Sequence, residues 1–129
     1  MGHNRKVMII DDNLIDQMIT AYILKTNLAY TDILVMNSAR LAFEYLKLNQ
    51  DNLAAIPCKI LLDLDMPDMN GFEFMESFIT LAAKVIENCE VIVLTGSDIE
   101  EDLKLIAAHP NVAKLIAKPI IKSQFLPII

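Results

Sequence analysis

One feature constrains this chain more than any other: short apolar runs alternate with longer amphipathic ones. Val7-Met8-Ile9-Ile10, Ile33-Leu34-Val35-Met36, Ile60-Leu61-Leu62, Val91-Ile92-Val93-Leu94 and residues 112–117 are each short and nearly all apolar. Such runs read as strands covered on both faces, as in a parallel sheet. Between them, residues 14–26 carry Ile15, Ile19 and Tyr22 at helical spacing, with Asp12 or Asn13 placed to cap the start. Ser38 is placed to cap a second helix bearing Leu41, Phe43, Tyr45, Leu46 and Leu48. Phe74, Phe78, Leu81 and Val85 mark one face of a third. Ser97-x-x-Glu100 has the form of a capping box for a fourth, running through Ala108 and ended by His109-Pro110. After Pro119 there is room for a short last helix, which Pro127 makes irregular. Right-handed crossovers turn this alternation into an α/β fold with a doubly wound, five-stranded parallel sheet, expected in the flavodoxin-like order 2-1-3-4-5. The 129 residues suit one domain, spanning 1–129, without repeat or linker.

Composition removes several classes of function. The chain is 54% hydrophobic with 3 Gly and 5 Pro, which argues against disorder. Its net charge of -6 leaves the chain as a whole little of the basic face that a nucleic-acid binder usually carries, so no direct nucleic-acid binding is expected. No apolar run reaches the about 18 residues that span a bilayer, and the run after Lys6 is too short for a signal-peptide core. A cytoplasmic location is therefore expected. Cys58 and Cys89 lack paired spacing and read as thiols in a reducing compartment.

The polar residues are informative through their position. Asp11 and Asp12 follow the first strand, Asp63 ends the third, Thr95 ends the fourth and Lys118 follows the fifth. Taken singly, each has an ordinary explanation: a helix cap, a turn, a strand-to-turn step, a snorkelling lysine. Together they converge, because the carboxyl ends of parallel strands form one crevice where the strand order reverses. In the expected order the reversal lies between the first and third strands, which brings Asp12 beside Asp63.

That convergence has a chemistry. Packed carboxylates repel, so one protonates or a cation binds. Oxygen-only ligands suit Mg2+, which keeps several waters and uses one or two carboxylates. A carboxylate can act as a nucleophile and form an aspartyl phosphate. Lys118 and the Thr95 hydroxyl can stabilise the charge on the transferring phosphoryl oxygens, and Gly96 leaves room for approach.

The segments Val7-Met8-Ile9-Ile10-Asp11-Asp12-Asn13, residues 62–71 (LDLDMPDMNG), Leu94-Thr95-Gly96-Ser97 and Ala117-Lys118-Pro119 resemble the receiver domain of bacterial two-component response regulators. The resemblance runs from about residue 5 to about residue 126. It implies that Asp63 is the phosphoacceptor, that Asp12 binds magnesium directly and Asp11 through water, and that the backbone carbonyl of Asp65 is a further ligand. It implies that Thr95 senses the phosphoryl group, that Lys118 pairs with it, and that Pro119 follows a cis bond. The implied donor is a phosphohistidine on a sensor histidine kinase or a histidine phosphotransfer protein. The implied role is that of a signalling phosphoacceptor, which catalyses only its own phosphorylation and dephosphorylation.

Three departures from that pattern stand out. Leu115 occupies a position where the family usually has Tyr or Phe, so the usual rotation of a ring is not expected. The last helix is short or irregular. No output domain follows, so a stand-alone receiver is expected. Two rival readings are a small phosphatase using Asp63-Leu64-Asp65, against which Pro67 counts, and a receiver-like interaction module that never takes phosphate. Finally, Leu14, Ile15, Met18, Ile19, Tyr22 and Ile23 form a stripe wider than one core face needs. Either the helix is deeply buried or part of the stripe docks a partner helix.

Overall fold

The computed structural model describes residues 6–27, 32–64, 66–96 and 100–118. Its elements run β1 Lys6–Ile10, α1 Leu14–Asn27, β2 Asp32–Met36, α2 Ala39–Leu48, a 3-10 turn Leu53–Ala55, β3 Lys59–Asp63, α3 Gly71–Phe78, α4 Ala83–Asn88, β4 Glu90–Thr95, α5 Glu100–Ala107 and β5 Val112–Ala117. The sheet has five strands in the order β2-β1-β3-β4-β5, and every pair is parallel. The expected architecture is therefore the observed one.

Alternation along each strand divides the core between the two faces of the sheet. Val7, Ile9, Leu61, Ile92 and Leu94 pack on one side with Ile23 and Leu24 of α1. Met8, Ile10, Ile60, Leu62, Val91 and Val93 pack on the other with residues of α2, α3, α4 and α5. The central strands are apolar toward both faces because helices cover both.

Local chemistry sets the helix boundaries. Asn13 Oδ1 accepts from the Asp16 amide at 2.9 Å and caps α1. Ser38 caps α2 through the Leu41 amide. Asn70 and Glu73 form a reciprocal capping box at the start of α3.

One expectation needs correction. Phe74, Phe78, Leu81 and Val85 do not lie on one helix. The chain leaves helical geometry after Phe78 and resumes at Ala83. The Thr80 hydroxyl donates to the Ser77 carbonyl at 2.6 Å, and the Ala82 amide turns to Gln50 Oε1 at 2.6 Å. Both bonds satisfy groups that a continuous helix would have used. All four apolar side chains are buried nonetheless. Helix α5 ends at Ala107, one residue earlier than expected. The Ser97 cap, the Pro119 peptide bond and the last helix lie outside the described residues.

Candidate functional site

The register of the sheet builds the site. Ile10 pairs with Leu62, so the next residues along β1 and β3 are Asp11 and Asp63. Asp63 pairs with Leu94 and Thr95 with Ala117, which brings Thr95 and Lys118 to the same sheet end. The Lys118 amide donates to the Thr95 carbonyl at 2.7 Å and holds the two strand ends together.

Asp11, Asp12 and Asp63 each offer a carboxylate oxygen, and these oxygens lie within 4.8 Å of one another. Asp11 and Asp63 are buried, whereas Asp12 faces solvent. Asp11 is held by its surroundings. Its Oδ1 accepts from the Asn13 amide at 2.9 Å, and its backbone carbonyl accepts from Gln17 Nε2. Magnesium bonds of about 2.1 Å place opposite ligand oxygens roughly 4.2 Å apart, so small side-chain rotations would fit the cluster to that ion. The donor set is all oxygen, as magnesium requires.

Lys118 places an ammonium in the crevice. Its Nζ lies 2.8 Å from Asp16 Oδ2, 3.1 Å from Asp11 Oδ2 and 3.5 Å from Asp63 Oδ1. Burial pulls its pKa down, but hydrogen bonds to Asp16 and Asp11 and the charges of Asp63 and Asp11 outweigh burial and raise it above the usual lysine value. Lys118 is therefore an ammonium at any ordinary pH. The Thr95 side chain is buried at the end of β4.

The loop after Asp63 is shaped by close contact. The Gly71 amide donates to the Leu64 carbonyl at 2.9 Å, and a Cβ on Gly71 would stand 2.9 Å from Leu64 Cα. Asp68 has φ 66 and bonds Arg40 on α2, whose guanidinium holds the Asp68 carboxyl below its ordinary pKa.

The structure thus gathers Asp11, Asp12, Asp63, Thr95 and Lys118, as the sequence led us to expect. Asp65 lies outside the described residues. Sequence reasoning missed Asp16 and Gln17. The available signal for Asp16 was its place one helical turn after Asp12. The stripe on α1 is resolved in favour of exposure, since Leu14, Ile15, Met18, Ile19 and Tyr22 are exposed and only Ile23 of the set is buried.

A doubly wound parallel sheet thus carries an acidic cluster and a lysine together at one sheet end. The model of the response regulator receiver domain matches residues 7–129, and the chain belongs to that family. It is thus a receiver domain of the two-component type, whose general role is phosphoryl acceptance. Among solved structures, a response regulator receiver protein from Dyadobacter fermentans DSM 18053 is 26% identical, with a TM-score of 0.78 over 95% of this chain and 96% of that one. A two component response regulator from Cytophaga hutchinsonii is 23% identical, with a TM-score of 0.80 over 95% and 92%. A CheX-CheY-BeF3-Mg+2 complex from Borrelia burgdorferi is 22% identical, with a TM-score of 0.74 over 95% and 84%. No curated protein matches the chain. No helix among the described residues is long and apolar enough to cross a membrane.

Proposed function

We propose that this receiver takes a phosphoryl group from a phosphohistidine onto Asp63, with magnesium held by Asp11, Asp12, Asp63 and the Asp65 carbonyl. The observation that carries the reading is the meeting of three carboxylates and one ammonium at the sheet's switch point. A bound magnesium would offset the negative charge brought in by the phosphoryl oxygens. An Asp63 oxygen attacks phosphorus, forming the O–P bond as the P–N bond breaks. The bonding electrons return to the imidazole nitrogen of the donor. Lys118 then donates to one phosphoryl oxygen and the Thr95 hydroxyl to another.

The donor is a sensor histidine kinase or a histidine phosphotransfer protein, met in the cytoplasm. Its docking surface is the exposed apolar stripe of α1. That stripe starts at Leu14, two residues after Asp12, so a donor helix seated there has its histidine within reach of the crevice. In this proposal residues 1–129 act as one receiver domain, and the chain catalyses only its own phosphorylation and dephosphorylation.

Incubation with acetyl phosphate and magnesium, followed by intact mass measurement, tests the assignment. One phosphoryl group is expected on the wild type and none on Asp63→Asn. Labelling of Asp63→Asn at an unchanged level would sink it. Continuous release of phosphate without retained label would point instead to a phosphatase.

A further inference from the structure

Lys118 has two hydrogen-bond acceptors in the crevice, and the shorter bond goes to a residue outside the cation cluster. Nζ donates to Asp16 Oδ2 at 2.8 Å and to Asp11 Oδ2 at 3.1 Å, while Asp63 Oδ1 lies farther off at 3.5 Å. A cation bound by Asp11, Asp12 and Asp63 would weaken the hold of Asp11 on the ammonium, because the same carboxylate would then face a nearer charge. Asp16 is not one of the three clustered carboxylates, so its hold on Lys118 would persist. Its side chain is about one-third exposed, and its amide is fixed by the Asn13 cap in the first turn of α1.

We infer that Asp16 is a positioning residue that withholds Lys118 from the phosphoryl group on Asp63, so that phosphorylation proceeds against the Asp16–Lys118 ion pair. This rests on Asp63 being the phosphoacceptor. To donate to a phosphoryl oxygen, Nζ turns from Asp16 toward Asp63. The strength of the pair therefore sets how tightly the domain holds a phosphoryl group. Asp16 also shares the first turn of α1 with the exposed Leu14 and Ile15. A partner that shifts this turn moves the acceptor away from Lys118 and readies the lysine for transfer.

The test uses beryllofluoride with magnesium, a stable mimic of the phosphoryl group, titrated calorimetrically into the full chain. Asp16→Asn keeps the shape of the side chain and removes its charge. Because a partly exposed ion pair is modest in strength, Asp16→Asn is expected to bind the mimic about three- to tenfold more tightly than wild type. Asp16→Glu is expected to stay near wild type, since it restores the carboxylate. The decisive measurement is a double-mutant cycle with Lys118→Ala. If Asp16 acts through Lys118, the Asp16→Asn change is silent in that background. An equal gain with and without Lys118 would overturn the inference, as would unchanged or weaker binding by Asp16→Asn alone. The wild-type titration separates the two levels of the argument. Absence of binding there, together with absence of acetyl phosphate labelling, defeats the reading of Asp63 and not merely the role of Asp16.

Discussion

At the scale of single residues, two positions outside the acidic cluster are expected to respond sharply. Gly71 touches the backbone of Leu64, the residue after Asp63, so a methyl group cannot be absorbed by side-chain rotation alone. Gly71→Ala is expected to destabilise the fold by about 1–3 kcal/mol, the range for overpacking, as read from urea denaturation. Its phosphoryl labelling should fall too, since Leu64 directly follows Asp63, the proposed acceptor. Cys89 responds through pH. Burial pushes its thiol up to about 12, with a smaller contribution from the charge of Cys58, and its Sγ donates to the Pro57 carbonyl at 3.1 Å. The unfolded chain ionises this thiol near its ordinary 9.0, so the unfolded state loses the proton first. Its contribution to stability is complete below pH 9.0 and falls as the pH rises from there toward about 12. Denaturation midpoints across that window should decline, and Cys89→Val should flatten the decline. Under native conditions a thiol reagent should modify the half-buried Cys58 well before Cys89.

At the scale of elements, α1 and β5 carry separable expectations. Met18 is exposed in the middle of the α1 stripe. Met18→Glu should slow transfer from a phosphohistidine protein by about tenfold or more, as loss of a buried interface contact does, while acetyl phosphate labelling stays unchanged. Loss of both would move the effect from docking to folding. On β5, Leu115 is half-buried and packs against the core cluster that holds Val91 and Val93. It has no ring to swing between exposed and buried states, so one source of free-energy difference between the two states is missing. Amide shifts induced by beryllofluoride should stay near residues 63, 95 and 118 rather than spread along α5 and the outer side of β5. The strands and the convergence of Asp11, Asp12, Asp63, Thr95 and Lys118 were legible in the sequence because apolar runs and strand ends are local signals. The break between α3 and α4 was not legible. Besides the local Thr80–Ser77 bond, it draws on Gln50, 32 residues away in sequence, which accepts the Ala82 amide. The Asp16–Lys118 pair was hidden for the same reason, since 102 positions separate its partners. Periodicity reports which face a residue takes, not which distant side chain meets it there.

At the scale of the whole molecule, the sheet order brings β1 and β3 together at the centre, and the carboxylates they carry converge only when the chain is folded. If the cluster holds magnesium as proposed, the stability of the domain is tied to the surrounding ions. In the unfolded chain Asp11 and Asp63 are separated by 51 intervening residues and offer no joint site. Any cation that selects the cluster binds the native state alone and stabilises it by mass action. At a magnesium concentration one hundred times the dissociation constant, the gain should reach about 2.7 kcal/mol. Asp12→Ala should keep the melting temperature nearly flat as magnesium is added, and should melt no lower than wild type in its absence, because one repelling charge is gone. The fold thus behaves as a thermometer of its own occupancy: a heat-denaturation curve, with no label and no partner, reports how full the crevice is.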